Sequence, residues 1–449
     1  MLLRIATSFA SVTLLASLGC TRILPPLTAP EDGGPQWREM VSKHVILRTD
    51  RDEGDAREAL TELEHTYAAL HDIAFPQVNV DGSRIVVVHF NRERDYNQFS
   101  PAQTSGQFYW KLPNDLEAEP TMLVWGKLDA SARATLQHEL THMFVRASLG
   151  GAPPWLNEGL AQYYETLEVS DGFAYVGRPL RKARAWPKTE WGQERSGVFM
   201  TATVPIGALP RVKDLVEMSS SQFYVWSDKG RQPTLDEGRA GTANYLGAYG
   251  LVHMILHEPE YQAKFDAMME LVSRGVPIRN AWQGSFDDVS TDELESDYRR
   301  HLLNRYETMV LKTPYALAPV AAELDRAMAP ADVHVLWARL RPWGAAELAL
   351  AREEIQRARA LASTSAEVLF WSGRMRAAEG DAAGAQADLD AAVATKPKEP
   401  RYLEGLAVLY RRLRANDQAD KDLAMKEQAA IARLAIVAVS GTELDTLAD

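Results

Sequence analysis

Five consecutive residues, His138-Glu139-Leu140-Thr141-His142, constrain this chain more than any other part of it. They lie in a pattern that predicts a helix from Ser131 to Leu149, stopped by Gly150-Gly151 and Pro153-Pro154. Residues four apart share one helix face, about 6 Å apart along the axis, so the two imidazoles can converge on one metal ion at about 2.0–2.1 Å. Glu139 lies about 100° round the helix, where it can reach a metal-bound water without ligating the metal. The plain alternative is a solvated helix face that carries two His.

A catalytic zinc site takes a third protein ligand and keeps one position open. Cysteine does not supply that ligand: the only one, Cys20, stands at the end of an N-terminal segment, so the donor is His, Asp or Glu. The stretch Pro153-Pro-Trp-Leu-Asn-Glu-Gly-Leu-Ala-Gln-Tyr-Tyr-Glu165 offers one. Its Gly-Gly and Pro-Pro turn reverses the chain, so a second helix, from about Pro154 to Thr166, packs against the first. Glu158, one turn into it, then projects at the two imidazoles. Otherwise Glu158 is a first-turn acid favoured by the helix dipole.

His-Glu-Leu-Thr-His followed by Trp-Leu-Asn-Glu-Gly-Leu-Ala resembles the gluzincin metallopeptidases, specifically the short-spaced peptidase-MA-like family, over roughly residues 44–305. The resemblance implies a zincin-like α+β domain with one Zn²⁺ per chain, held by His138, His142 and Glu158, and Glu139 as general base. It also implies that the residue four after the ligand Glu orients a zinc-bound His. Gluzincins often have Asp there; here it is Gln162, whose carbonyl can accept an imidazole N–H but brings no charge. Fifteen residues separate His142 from Glu158, which suits this branch. A donor to the charge developing on the attacked carbonyl is expected as well. The apolar helix from Ala243 to Leu256 puts Tyr245, Tyr249 and His253 on one face, and Tyr245, which opens it, is the candidate. Aromatics at helical spacing also serve as plain core. His257 reads as exposed beside Glu258 and has no role.

The surrounding pattern gives the fold class. His44–Thr49, Arg84–Phe90, Gln107–Lys111 and Thr121–Trp125 read as strands and residues 54–72 as an amphipathic helix, an order that describes a small α+β domain with helices against a mixed sheet. Thr121–Trp125 reads as the edge along which an extended peptide pairs. Residues 168–240 are irregular, as functional loops or lids often are, with one short helix near Leu209–Met218. Helices follow at Pro259–Ser273 and, behind the capping box Ser290-x-x-Glu293, to about Tyr306.

The tail repeats with a period of 34: Ala366–Pro397 superimposes on Pro400–Glu427, Leu369 matching Leu403 and Ala385 matching Ala419. These units resemble tetratricopeptide repeats, and a degenerate unit at about Asp332–Thr364 precedes them. A generic Ala-rich helical hairpin is the simpler reading. At the other end, Met1–Arg4 brings one positive charge, Ile5–Leu18 is uncharged and Gly19-Cys20 closes the segment, the layout of a secretory signal too short to span a bilayer. Gly-Cys resembles the lipobox of bacterial lipoproteins, which implies export, a lipid on Cys20 and membrane attachment; Thr21, not being Asp, gives no reason for inner-membrane retention.

The expected organisation is a signal peptide (1–19), a tether (20–42), the zinc domain (43–310), a linker (311–330), helical repeats (331–435) and a tail (436–449). With 49 Lys and Arg against 61 Asp and Glu, a net charge of −12 and no basic clusters, a nucleic-acid partner is excluded. The expected function is an exported, membrane-anchored zinc metallopeptidase acting on a peptide or protein, with a protein partner for the repeats. Two alternatives share these residues: a catalytically silent zinc domain whose repeats act as a binding scaffold, and a hydrolase of a non-peptide envelope substrate. The intact Glu139 favours an enzyme.

Overall fold

The computed structural model describes residues 27–78, 84–100, 106–109, 111–112, 114–115, 119–128, 130–149, 151–177, 206–225, 234–304, 310–341, 347–416 and 421–445. The signal segment and Cys20 lie outside them, as do residues 178–205 of the irregular stretch.

The chain is α+β, with a mixed sheet in its first half and helices throughout its second. The first half runs β1 (Arg38–Val41), β2 (Val45–Thr49), α1 (Glu53–Ala74), β3 (Ile85–Phe90), α2 (Glu93–Tyr96), β4 (Gly106–Tyr109), β5 (Thr121–Trp125), α3 (Ala130–Leu149) and α4 (Pro154–Tyr164). A small sheet begins with β6 (Glu168–Ser170) and β7 (Phe173–Val176). Then come α5 (Val212–Glu217), α6 (Ser220–Phe223), α7 (Leu235–His257), α8 (Pro259–Ser273), α9 (Ile278–Ser285) and α10 (Thr291–Asn304). The remainder is β8 (Leu311–Pro314), β9 (Leu324–Ala327) and three helical hairpins: α11 (Pro330–Leu340) with α12 (Leu348–Leu361), α13 (Ala366–Glu379) with α14 (Ala382–Thr395), and α15 (Pro400–Asn416) with α16 (Lys421–Asp445). The starts of α13 and α15 are 34 residues apart, the period read from the sequence.

The main sheet has the order β4-β5-β3-β2-β1-β9. Strands β2, β3 and β5 are parallel, whereas β4 and β1 run antiparallel to their neighbours. Every residue of β3, Ile-Val-Val-Val-His-Phe, is buried, as a strand covered on both faces requires. One face, with Leu47, Val87, Met122 and Val124, packs against Leu63 and Tyr67 of α1 and Leu136 and Leu140 of α3. The other, with Val86, Val88, Phe90 and Leu123, packs against Trp37 and against Val333, Leu336, Trp337 and Leu340 of α11.

That second face overturns several expected boundaries. The stretch read as a tether contains β1, and Ala29 and Trp37 are buried with α11. The stretch read as a linker contains β9, which closes the main sheet against β1, and β8, which pairs with β7. Short strands of mixed polarity, such as Arg-Glu-Met-Val and Leu-Asp-Arg-Ala, carry no alternation long enough to be read. Helix α16 continues to Asp445, through most of the expected tail. Strand β5 is interior, so Thr121–Trp125 is not the edge; the edge beside it is β4. Helix α7 starts eight residues before the predicted Ala243, because Thr234 and Glu237 form a reciprocal capping box.

The helical second half is therefore not a detachable module. Burying Val86, Val88, Phe90 and Leu123 contributes on the order of 6–12 kcal/mol, comparable with the whole stability of a typical domain. A chain ended after Lys312 loses β9 and α11 together. It is expected to be insoluble or to lack a cooperative thermal transition by circular dichroism. A soluble, cooperatively melting fragment would show that α11 does not hold the sheet.

Candidate metal centre

Helix α3 is fixed before its histidines come into play. Leu136, Leu140 and Phe144 bury one face, and the Gln137 side-chain amide donates to the carbonyl of Leu167 at 2.8 Å. This leaves His138 and His142 turned towards α4. Helix α4 starts at Pro154, where the missing N–H costs nothing. It is pressed onto α7 at Gly159, where a Cβ would stand 2.7 Å from the carbonyl oxygen of Ala248 and 2.6 Å from the Val252 side chain. Only glycine allows that approach, and it places Glu158, the preceding residue, beside the two imidazoles.

Three atoms converge there. His138 Nε2 and His142 Nε2 are 3.2 Å apart, and Glu158 Oε2 lies 3.5 and 3.6 Å from them. A tetrahedral ion with bonds of about 2.0–2.1 Å needs its donors about 3.3–3.4 Å apart, so the three fit one without moving. Among the described residues these are the one group of His, Cys, Asp or Glu arranged to hold a metal. The other oxygen of Glu158, Oε1, accepts a 2.7 Å hydrogen bond from the Tyr224 hydroxyl, which turns Oε2 inward. His138 Nδ1 lies 3.0 Å from Glu165 Oε2 and donates to it when Glu165 is ionised, leaving the Nε2 lone pair for the metal.

Glu165 and Tyr224 are the residues that the sequence reading missed. Glu165 takes the part expected of Gln162, whose amide nitrogen and oxygen find no hydrogen-bond partner among the described residues. Glu165 follows Glu158 by seven residues, two turns along the same face, a spacing that could have singled it out. Tyr224 follows the short helix α6 in the irregular stretch, where no periodicity marks it.

Two imidazoles here face three carboxylates, Glu139, Glu158 and Glu165, and the site calls for positive charge. Burial works against a proton on His138, yet Glu158, Glu165 and Glu139 hold its pKa well above the ordinary value. Burial pushes Glu165 up to about 7, against the hydrogen bond and charge of His138 and with the charges of Glu158 and Glu139 adding to it. Glu158 is buried too, but His142 and His138 keep it below the usual carboxylate value. Glu139, half-buried, shares this field.

Of the aromatic face of α7, Tyr245 is the member near the carboxylates. It packs on Phe223 and lies 6.4 Å, ring to ring, from Tyr224. Burial and the charges of Glu158 and Glu139 keep its phenol protonated, so its O–H remains available as a donor. Tyr249 is fully buried, its ring 6.5 Å from that of Tyr163. His253 is tied to the carbonyl of Gly177 at 2.9 Å and to His301 at 2.8 Å, both away from the metal ligands. His257 is not exposed: it is buried, stacks on His253 at 4.1 Å and lies 3.0 Å from the Tyr163 hydroxyl. Beside His142 opens a cleft of about 320 Å³, whose walls include Phe108 of β4, Met143 and Asn157.

The chain matches no protein-family model and no curated protein.

Two outcomes follow. In the metal-free protein, the His138 contribution to stability is complete below about pH 6.5 and lost as pH rises through its raised pKa; that of Glu165 is lost between its ordinary 4.5 and about 7. The metal-free melting temperature is therefore expected to fall from pH 5 to pH 8. Zinc affinity, measured by chelator competition, is expected to rise over that range, because the proton on His138 must leave. An apo melting temperature that rises with pH would contradict the assigned charge balance. Secondly, Glu165→Gln is expected to weaken zinc by about 10–100-fold, while Gln162→Ala changes it little. The reverse order would restore the part to Gln162.

Proposed function

We propose that the chain is a zinc-dependent metallopeptidase of the gluzincin, peptidase-MA-like type, with a zincin-like catalytic half and tetratricopeptide-like repeats. The observation that carries this reading is the convergence of His138 Nε2, His142 Nε2 and Glu158 Oε2 within 3.6 Å of one another, on helices fixed independently of any ion. A site that only stabilised the fold would have no use for Glu139, for a cleft at His142 or for a proton-bearing Tyr245 nearby.

His138, His142 and Glu158 would hold one Zn²⁺ per chain, which when bound supplies Lewis acidity to an attacked carbonyl and to the attacking water. Glu139, one residue after His138 and outside the donor triangle, accepts the proton of that water and returns it to the leaving amine. Tyr245 donates to the charge developing on the carbonyl oxygen. Glu165 fixes the His138 ring and Tyr224 fixes Glu158, so neither ligand must reorient as charge moves. The substrate is a peptide or protein, extended along β4. The same reading makes the chain an exported lipoprotein, attached through Cys20 to the periplasmic or surface side of an outer membrane.

Glu139→Gln separates this reading from a silent, scaffold-type zinc domain. It preserves shape and removes only the proton acceptor, so one zinc should remain bound while peptide-library cleavage falls by about 10²–10⁴-fold. His142→Ala and Glu158→Ala should lose metal and cleavage together. Equal cleavage by Glu139→Gln and the wild type would rule out this mechanism. No cleavage by either, with zinc bound, would favour the scaffold. In the same experiments Cys20→Ser should move the chain out of the membrane fraction; an unchanged distribution would remove the lipid from the reading.

A further inference from the structure

The first helices of the three hairpins, α11, α13 and α15, bring cations and aromatic rings together on one side. The Arg339 guanidinium lies 5.0 Å and that of Arg374 5.3 Å from the ring of Trp371. Arg401 pairs with Glu367, which also accepts from Trp371 and from Tyr402. In a groove-forming repeat such a face would await an acidic peptide. Here it already holds one, from the connection between β4 and β5. Asp115 pairs with Arg339 at 2.9 Å and Glu119 pairs with the same guanidinium. The Asn114 amide donates to the carbonyls of Arg339 and Arg341 at the end of α11, and Arg374 donates to the carbonyl of Asn114. Asn114, Asp115 and Leu112 are buried there.

Only a few residues separate this contact from β4. Asn114 follows Tyr109, the last residue of β4, by five positions, a reach of at most about 18 Å. Phe108 of β4 lines the cleft beside His142. We propose that the inner face of the helical half is a clamp on Leu112, Asn114, Asp115 and Glu119 of the connection after β4, and that through it Arg339 and Arg374 act as positioning residues for β4 as the substrate edge. The clamp stands on the contacts above, whereas its consequence for substrate rests on the metallopeptidase reading.

The test uses the full zinc-loaded chain with Asp115→Asn and Glu119→Gln combined, and Glu270→Gln, from an exposed ion pair elsewhere, as control. Amide exchange at residues 106–109 is expected to quicken by about tenfold or more, with protection of α3 and zinc content unchanged. KM for a cleaved peptide should rise by about tenfold while kcat changes by less than about twofold, since the reacting groups are untouched. Exchange at 106–109 within about twofold of the wild type would overturn the clamp. Should the double substitution unfold the chain, Arg374→Gln keeps the Arg339–Asp115 pair and is held to the same criterion. Faster exchange with an unchanged KM would overturn the positioning role and leave the clamp standing. A wild type that cleaves no peptide would dispose of the metallopeptidase reading, and exchange alone would then judge the clamp.

Discussion

Strand β3 must be kept from water on both sides, and most of the architecture answers that requirement. Ile85, Val87, Val86, Val88 and Phe90 point alternately to two faces, so one helical layer cannot cover them. Helices α1 and α3 cover the first face, and their packing sets the rotation of α3 that turns His138 and His142 towards α4. The second face is covered by Trp37 and α11, the first helix of the three hairpins. The His138, His142 and Glu158 cluster and the helical second half thus lie on opposite sides of one sheet, and each stabilises the sheet that the other rests on.

At the centre itself, α4 does most of the organising. Within eight residues it supplies the Glu158 carboxylate, the close approach at Gly159 and, at its C-cap, Glu165. The close approach matters electrostatically, because it brings Tyr245 of α7 into the field of Glu158 and Glu139. In such a place an extra carboxylate raises the demand for positive charge, and burial pushes Glu165 up to about 7.

The parts of this molecule that were legible in the sequence are those set by local periodicity. The helical spacing of His138 and His142, the strand Arg84–Phe90, the Pro-marked starts of α4 and α8 and the 34-residue repeat all depend on neighbours in the chain. What could not be read depends on distant partners. Strand β1 sits between β2 and β9, the latter reaching it from nearly three hundred residues away, and neither β1 nor β9 has an apolar pattern of its own. The choice of Glu165 over Gln162 turns on which side chain faces His138 at the end of α4, a matter of packing against α3. Tyr224 reaches Glu158 from a stretch with no periodicity at all.

The first described residues have an orientational consequence of their own. Ala29 is buried, Glu31 pairs with His334 of α11, and Asp32 pairs with Arg357 of α12 at 3.1 Å. The chain is thereby stapled to the first hairpin of the helical half before it enters the sheet. Only seven positions separate Leu27, packed at that corner, from Cys20, a reach of at most about 25 Å. Any attachment made at Cys20 would act as a short leash on the first hairpin, and that end of the particle would stay close to its support however the rest turned.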